Sequence, residues 1–215
     1  MKTKVVVLIA IVCIVATTIG CIDEFKTEGT PIPTPIVIQT PVIPTPTTIV
    51  ISTDISEEEF IDKYTKAEDI FKYDSYEHEL KGNDSKNLAD PYYYNNQFNE
   101  AREKYHEAAE FYSKAKEQNL EAKELFEEAY EIVPGEYYKE LCELYISAAQ
   151  SNAMSLEYLS SAMKYRGRAC DYYEKEDYKA GDDNIEAANK EIIRCNIETE
   201  KRNAAVLKID ELGGW

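Results

Sequence analysis

The sequence predicts an all-α fold: an antiparallel up-and-down bundle of long helices, one short and three long, behind an N-terminal apolar segment and an extended linker. Three observations carry this. Ala recurs every seven residues at Ala101, Ala108, Ala115, Ala122 and Ala129, alternating with Phe98, Tyr105, Tyr112, Asn119, Phe126 and Val133. From Ser56 onward a single Pro-Gly pair, Pro134-Gly135, interrupts long apolar periodicity. Composition also shifts sharply along the chain, dividing it into residues 1–21, 22–54 and 55–215.

In the first part, Lys2 and Lys4 precede an unbroken apolar run from Val5 to Ala16, and a small residue, Gly20, stands before Cys21. A positive start, an apolar core and a small residue before the break are the parts of a secretory signal. Thr18-Ile19-Gly20-Cys21 resembles the lipobox of prokaryotic (bacterial or archaeal) lipoproteins, with Thr18 in place of the usual Leu. The resemblance implies that Cys21 becomes the mature N-terminus and carries the lipid, palmitate or another acyl chain, that fixes the protein to the membrane. The alternative is an uncleaved single-pass anchor, since Val5 to Ile22 is 18 uncharged residues, near the length of a span. Either way the remainder faces outward from the cell membrane.

The linker follows. Six of the eight prolines lie between Pro31 and Pro46, interleaved with Thr. Pro fixes φ and pushes its predecessor to extended conformations, so an extended, partly polyproline II spacer is expected. At ~3.1 Å per residue it reaches up to about 80 Å. Thr47 to Ser52 is β-prone and is expected to lie against the bundle.

The first helix opens at the capping box Ser56-x-x-Glu59 and presents Phe60, Tyr64, Ala67 and Phe71 on one face. Lys81 to Asp90, polar and containing Gly82, reads as a loop. It carries the sequon Asn83-Asp84-Ser85, which makes Asn83 a candidate glycosylation site. Asp90-Pro91 then reads as the cap and first residue of the second helix. The first helix is thus about half as long as the second, leaving four helices at one end and three at the other. The third helix places Tyr138, Tyr145, Asn152 and Leu159 at one heptad position and Leu141, Ala148, Ser155, Ala162 and Ala169 at the other. After a turn near Glu174 to Asp177, the fourth has Tyr178, Ile185, Ile192, Thr199 and Val206, with Gly181, Ala188, Cys195, Arg202 and Ile209, and stops at Gly213-Gly214.

Folding these helices about their turns sets register. Asn119, Asn152 and Thr199 each interrupt an apolar position and fall at nearly one height, which predicts a polar layer across the middle of the bundle. Such a layer fixes register at some cost in stability, or forms a small polar site. The Tyr clusters at 92–94 and 172–173 fall at one end, closing the core or presenting a recognition surface. Cys142, Cys170 and Cys195 fall too far apart along the helices for any pair to meet bonding geometry.

Charge and motifs narrow the function. The chain carries −17 at neutral pH, and Lys2 and Lys4 are the only charges before Cys21, so the remainder carries −19. A surface this acidic disfavours nucleic acid and anionic headgroups as partners. Glu103-x-x-His106 matches half of a di-iron carboxylate motif, but the only other His, His78, has Ser75 where its Glu belongs. No phosphate loop, nucleophile elbow or zinc spacing occurs, so neither enzyme nor cofactor is expected. Ala122, Phe126, Ala129 and Pro134 resemble the second helix of a tetratricopeptide repeat, echoed by Ala101, Tyr105 and Ala108. That architecture requires a break near Gln118 to Leu120, and the echo recurs after 21 residues rather than about 34. The expectation is a membrane-anchored, extracytoplasmic helical lipoprotein with a structural or protein-interaction role. The competing expectation is a small-ligand-binding lipoprotein using the polar layer or the Tyr-rich end.

Overall fold

The computed structural model describes residues 55–214; the signal, Cys21 and the linker lie outside them. Ile55–Trp215 forms one compact unit. Its described residues are all-helical, without strands: α1 (Ile55–Asp69), a single π-helical turn (Ile70–Asp74), α2 (Ser75–Tyr94), α3 (Phe98–Glu131), α4 (Glu136–Glu174) and α5 (Tyr178–Glu211). None of these helices is long and apolar enough to cross a membrane. α1, the π turn and α2 follow one another without a break, so together they make one rod, and four rods pack against each other.

The expected short first helix and the loop at Lys81–Asp90 are therefore corrected. The helix begins at Ile55, one residue before the expected cap, and runs through the polar stretch to Tyr94. Only the small residues Gly82, Ser85 and Ala89 of that stretch are buried, and their spacing is that of a helix face. Gly82 is a packing site, not a turn: a Cβ there would stand 2.7 Å from the Tyr112 ring. Pro91 lies inside α2 in its last turn, where the carbonyl deprived of a partner belongs to exposed Asn87. The first rod is thus as long as the others, and the change from four helices to three does not occur.

The second expected helix starts at Phe98 and not at Asp90-Pro91, and the later boundaries fall where the sequence placed them. α3 ends just before Pro134-Gly135, α4 ends at Glu174, and α5 ends before Gly213. α3 runs unbroken through Gln118 to Leu120, which removes the tetratricopeptide alternative. All five Ala of its heptad are buried, with Tyr105, Tyr112 and Phe126 filling the space between rods. At one end Phe60, Tyr64, Phe126, Tyr138 and Tyr145 interlock, with Phe126 and Tyr145 stacked at 4.6 Å. At the other, Tyr93 meets Phe98 and Tyr173 at 6.0 Å each.

The two pairs of rods share a register. The turn after Tyr94 has Asn96 at φ 58° and the turn after Glu174 has Glu176 at φ 59°. Gln97 N donates to the Tyr92 carbonyl and Asp177 N to the Tyr172 carbonyl, both at 2.9 Å. The turns are 80 residues apart, and the same interval relates Ser75 to Ser155, Ala89 to Ala169, Ala108 to Ala188 and Asn119 to Thr199. Before the π turn the interval becomes 81, relating Phe60 to Leu141, Tyr64 to Tyr145 and Ala67 to Ala148. A π turn takes one extra residue, and it accounts for the difference.

Candidate functional site

The predicted polar layer sits just past the π turn. That turn brings Ser75 fully into the core, where its Oγ donates to the Ala115 carbonyl at 3.3 Å. Asn119 on α3 is also fully buried; its Nδ2 donates to Ser75 Oγ and, at 2.8 Å, to the Ala115 carbonyl. Asn152 Nδ2 on α4 donates to Asn119 Oδ1 at 3.1 Å. Arg202 Nη1 on α5 donates to Asn152 Oδ1 at 2.9 Å and lies 3.9 Å from Glu79 Oε2 on α2. The chain of contacts therefore crosses all four rods, from Ser75 through Asn119, Asn152 and Arg202 back to Glu79.

Of the three predicted members, Asn119 and Asn152 meet directly. Thr199 stands to one side, its Oγ1 3.0 Å from Ser155 Oγ, which is itself 3.2 Å from Cys195 Sγ. Sequence reasoning does not find Ser75 and Glu79, because the face through Phe60, Tyr64, Ala67 and Phe71 continues to Asp74 and His78, and the extra residue of the π turn moves the buried position to Ser75. Arg202 stands in the predicted seam, where the heptad alone makes it a packing position. Its guanidinium reaches the layer while also bonding Asn203 Oδ1 at 3.1–3.2 Å. Burial raises the Glu79 carboxyl above its ordinary value, against the opposing pull of Arg202. Beside the layer, Gln118 Oε1 is buried without a hydrogen-bond partner.

A second polar group lies toward the Tyr-rich end. Asp90, expected to cap a helix, instead accepts from Tyr105 Oη at 2.7 Å, from Arg166 Nη1 at 3.1 Å and from Lys86 Nζ at 3.1 Å. Asn83, expected on an exposed loop, stands in mid-helix, and its Oδ1 accepts from Tyr112 Oη at 2.8 Å. Cys142, Cys170 and Cys195 are buried, and none forms a disulfide. Burial pushes the Cys142 and Cys170 thiols up to about 12.

What these arrangements offer chemically is limited. Ser75, Asn119 and Asn152 spend their side-chain donors on one another and on the Ala115 carbonyl, while Arg202 also donates to Asn203. His106 lays its ring against Gly167, in an open depression of about 350 Å³ shared with Arg102, Glu103, Glu107 and Glu110. Two further open depressions, about 390 and 380 Å³, lie near the far end of α3 among Glu124, Glu127, Glu128, Tyr130 and Glu131. None of the three is lined by Asn119, Asn152 or Thr199. Among the described residues no group of three or more His, Cys, Asp or Glu is placed to hold a metal ion. No protein-family model, curated protein or solved structure matches the chain.

Proposed function

We propose that the chain is an outward-facing, membrane-anchored helical module of the cell envelope that works by binding protein. Cys21 is its lipid attachment, the Pro/Thr-rich segment its spacer, and an up-and-down antiparallel bundle its working end. The antiparallel arrangement is supported by contacts that run in opposite directions along neighbouring rods: Asn99 bonds Glu174 while Tyr130 bonds Glu143.

One contrast carries the reading. Most interior polar groups meet one another, Gln118 Oε1 excepted, whereas most of the large apolar side chains left exposed stand on the outer faces of the first rod and α5. Solvated helices carry charge there; exposed apolar stripes mark surfaces that meet other molecules. The small-ligand alternative is less supported, since the depressions are open and the Tyr-rich end is occupied by its own edge-on and tilted rings.

Two measurements test it. Cys21→Ala is expected to lose the lipid mass shift and detergent partitioning; retention of both defeats the lipid anchor. Crosslinking in intact cells is expected to give protein adducts through the bundle, and a chain that crosslinks to no protein defeats the interaction role.

A further inference from the structure

α3 uses two faces. One packs on the first rod. The other packs on α4, through Arg102 to Asp171 at 2.7 Å, the Ala109 carbonyl to Ser160 at 2.9 Å and Lys116 to Glu157 at 3.3 Å. The 80-residue relationship carries that second face of α3 onto the outer face of α5. It carries the answering face of α4 onto the outer face of the first rod. Among the described residues no helix covers either surface.

Among the charged residues found there stand several large apolar ones that solvation does not explain. On α5, Ile193 takes the place of Ser113 and Leu207 that of Glu127, 60% and 59% exposed, with Ile197 alongside. On the first rod, Leu80 takes the place of Ser160, Tyr94 that of Glu174, and Tyr73, 67% exposed, that of fully packed Ala153. At these places polar or small side chains of the internal contact give way to exposed apolar ones, set among Asp182, Glu186, Asn189 and Asn196 on α5 and Glu77 and Asp84 on the first rod. Their charges also differ. The first rod holds eleven acidic and five basic residues, while α5 holds eight and six, including exposed Lys190, Arg194, Lys201 and Lys208.

The geometry points to a second copy of this chain as the partner, bound head to tail: the outer face of α5 of one copy seats on the first rod of the next and repeats the α3–α4 contact. The inference rests on reading the bundle as an interaction module and names what it binds. Carrying the internal register across sets Ile193 level with Leu80 of the next copy, and Ile197 level with its Tyr76. α5, the less acidic of the two, then faces the more acidic rod, with Lys208 beside Leu207 and with Lys190, Arg194 and Lys201 held by Glu186, Glu191 and Glu198 of their own helix. Such a contact uses two different surfaces and leaves one of each free at the ends, so copies add in an open series instead of closing as a two-fold dimer.

Two differently tagged full-length chains, one Ile193→Cys and the other Leu80→Cys, are co-expressed and treated in intact cells with a short bismaleimide. The expected result is an adduct carrying both tags, with none when both chains carry Ile193→Cys or both carry Leu80→Cys, or when both are wild type. Adducts only between identical variants mean a two-fold contact and overturn the head-to-tail arrangement. No adduct in any combination overturns self-association. Ile197→Cys with Tyr76→Cys probes the same contact if either first variant fails to accumulate. A wild-type chain that crosslinks in cells to other proteins but never to itself defeats this inference alone; one that crosslinks to nothing defeats the interaction role as well.

Discussion

Asp90 and Arg166, 76 residues apart, meet at 3.1 Å inside the bundle, and Tyr105 Oη closes on the same Asp90 oxygen at 2.7 Å. Arg166 is almost wholly buried, so its charge depends on that carboxylate. Asp90→Ala is expected to lower stability by about 3 kcal/mol, because it strands a buried guanidinium. Adding Arg166→Met should recover much of the loss. Urea unfolding at constant slope measures both; equal losses in the single and double variants would show that the charge is not what matters.

The polar layer predicts a similar asymmetry. Asn119 serves Ser75, the Ala115 carbonyl and Asn152 at once. Asn119→Leu should cost roughly 2 kcal/mol, since it leaves buried polar partners unmet. A rise in melting temperature would mean that the layer only fixes register.

Gln118 lies beside that layer with its Oε1 buried and unpartnered. Gln118→Met keeps the length of the side chain and removes the orphaned acceptor. A gain of about 1 kcal/mol in chemical unfolding is the expected outcome. A loss would indicate that the Gln118 amide contributes a contact that outweighs the orphaned oxygen.

Glu79 gives the layer a pH dependence. Its folded-state pKa is raised by burial, so the folded chain binds this proton more tightly than the unfolded one. The contribution of this group is therefore more favourable below its ordinary carboxylate range and is lost as pH rises through the raised folded value. Glu79→Gln should remove that slope. Melting curves between about pH 4.5 and 7 for the two proteins should converge toward the acid end and separate toward neutrality, with the variant higher; parallel curves would exclude Glu79 as the source.

Much of the fold was legible because heptads of Ala and aromatics report directly on which face is buried. α3, α4 and α5 each follow from that pattern and from turn residues at Pro134-Gly135 and 174–177. The first rod is not legible in the same way. Its buried face over residues 82–89 is made of Gly, Ser and Ala, which carry little hydrophobic signal, and polar neighbours outnumber them. Gly82 and Asp90-Pro91 have strong turn chemistry of their own, but tertiary packing under Tyr112 and the ion pair with Arg166 override it. The candidate site suffers accordingly: Asn119 and Asn152 stand out as exceptions in apolar seams, while Ser75 and Glu79 lie on the rod whose length the sequence conceals. The paired Tyr at 92–93 and 172–173 are the visible trace of the 80-residue correspondence.

The π turn at Ile70–Asp74 also sets where this chain can tolerate a change of length. Removing a residue from an α-helix rotates everything beyond it by about 100° and turns the buried face outward. Removing one from this turn would instead restore an uninterrupted α-helix with Tyr64 and Gly82 still facing inward. A scan of single-codon deletions along the first rod should therefore show survival confined to this one turn, and that is where insertions and losses could be fixed during the history of the gene without refolding the core.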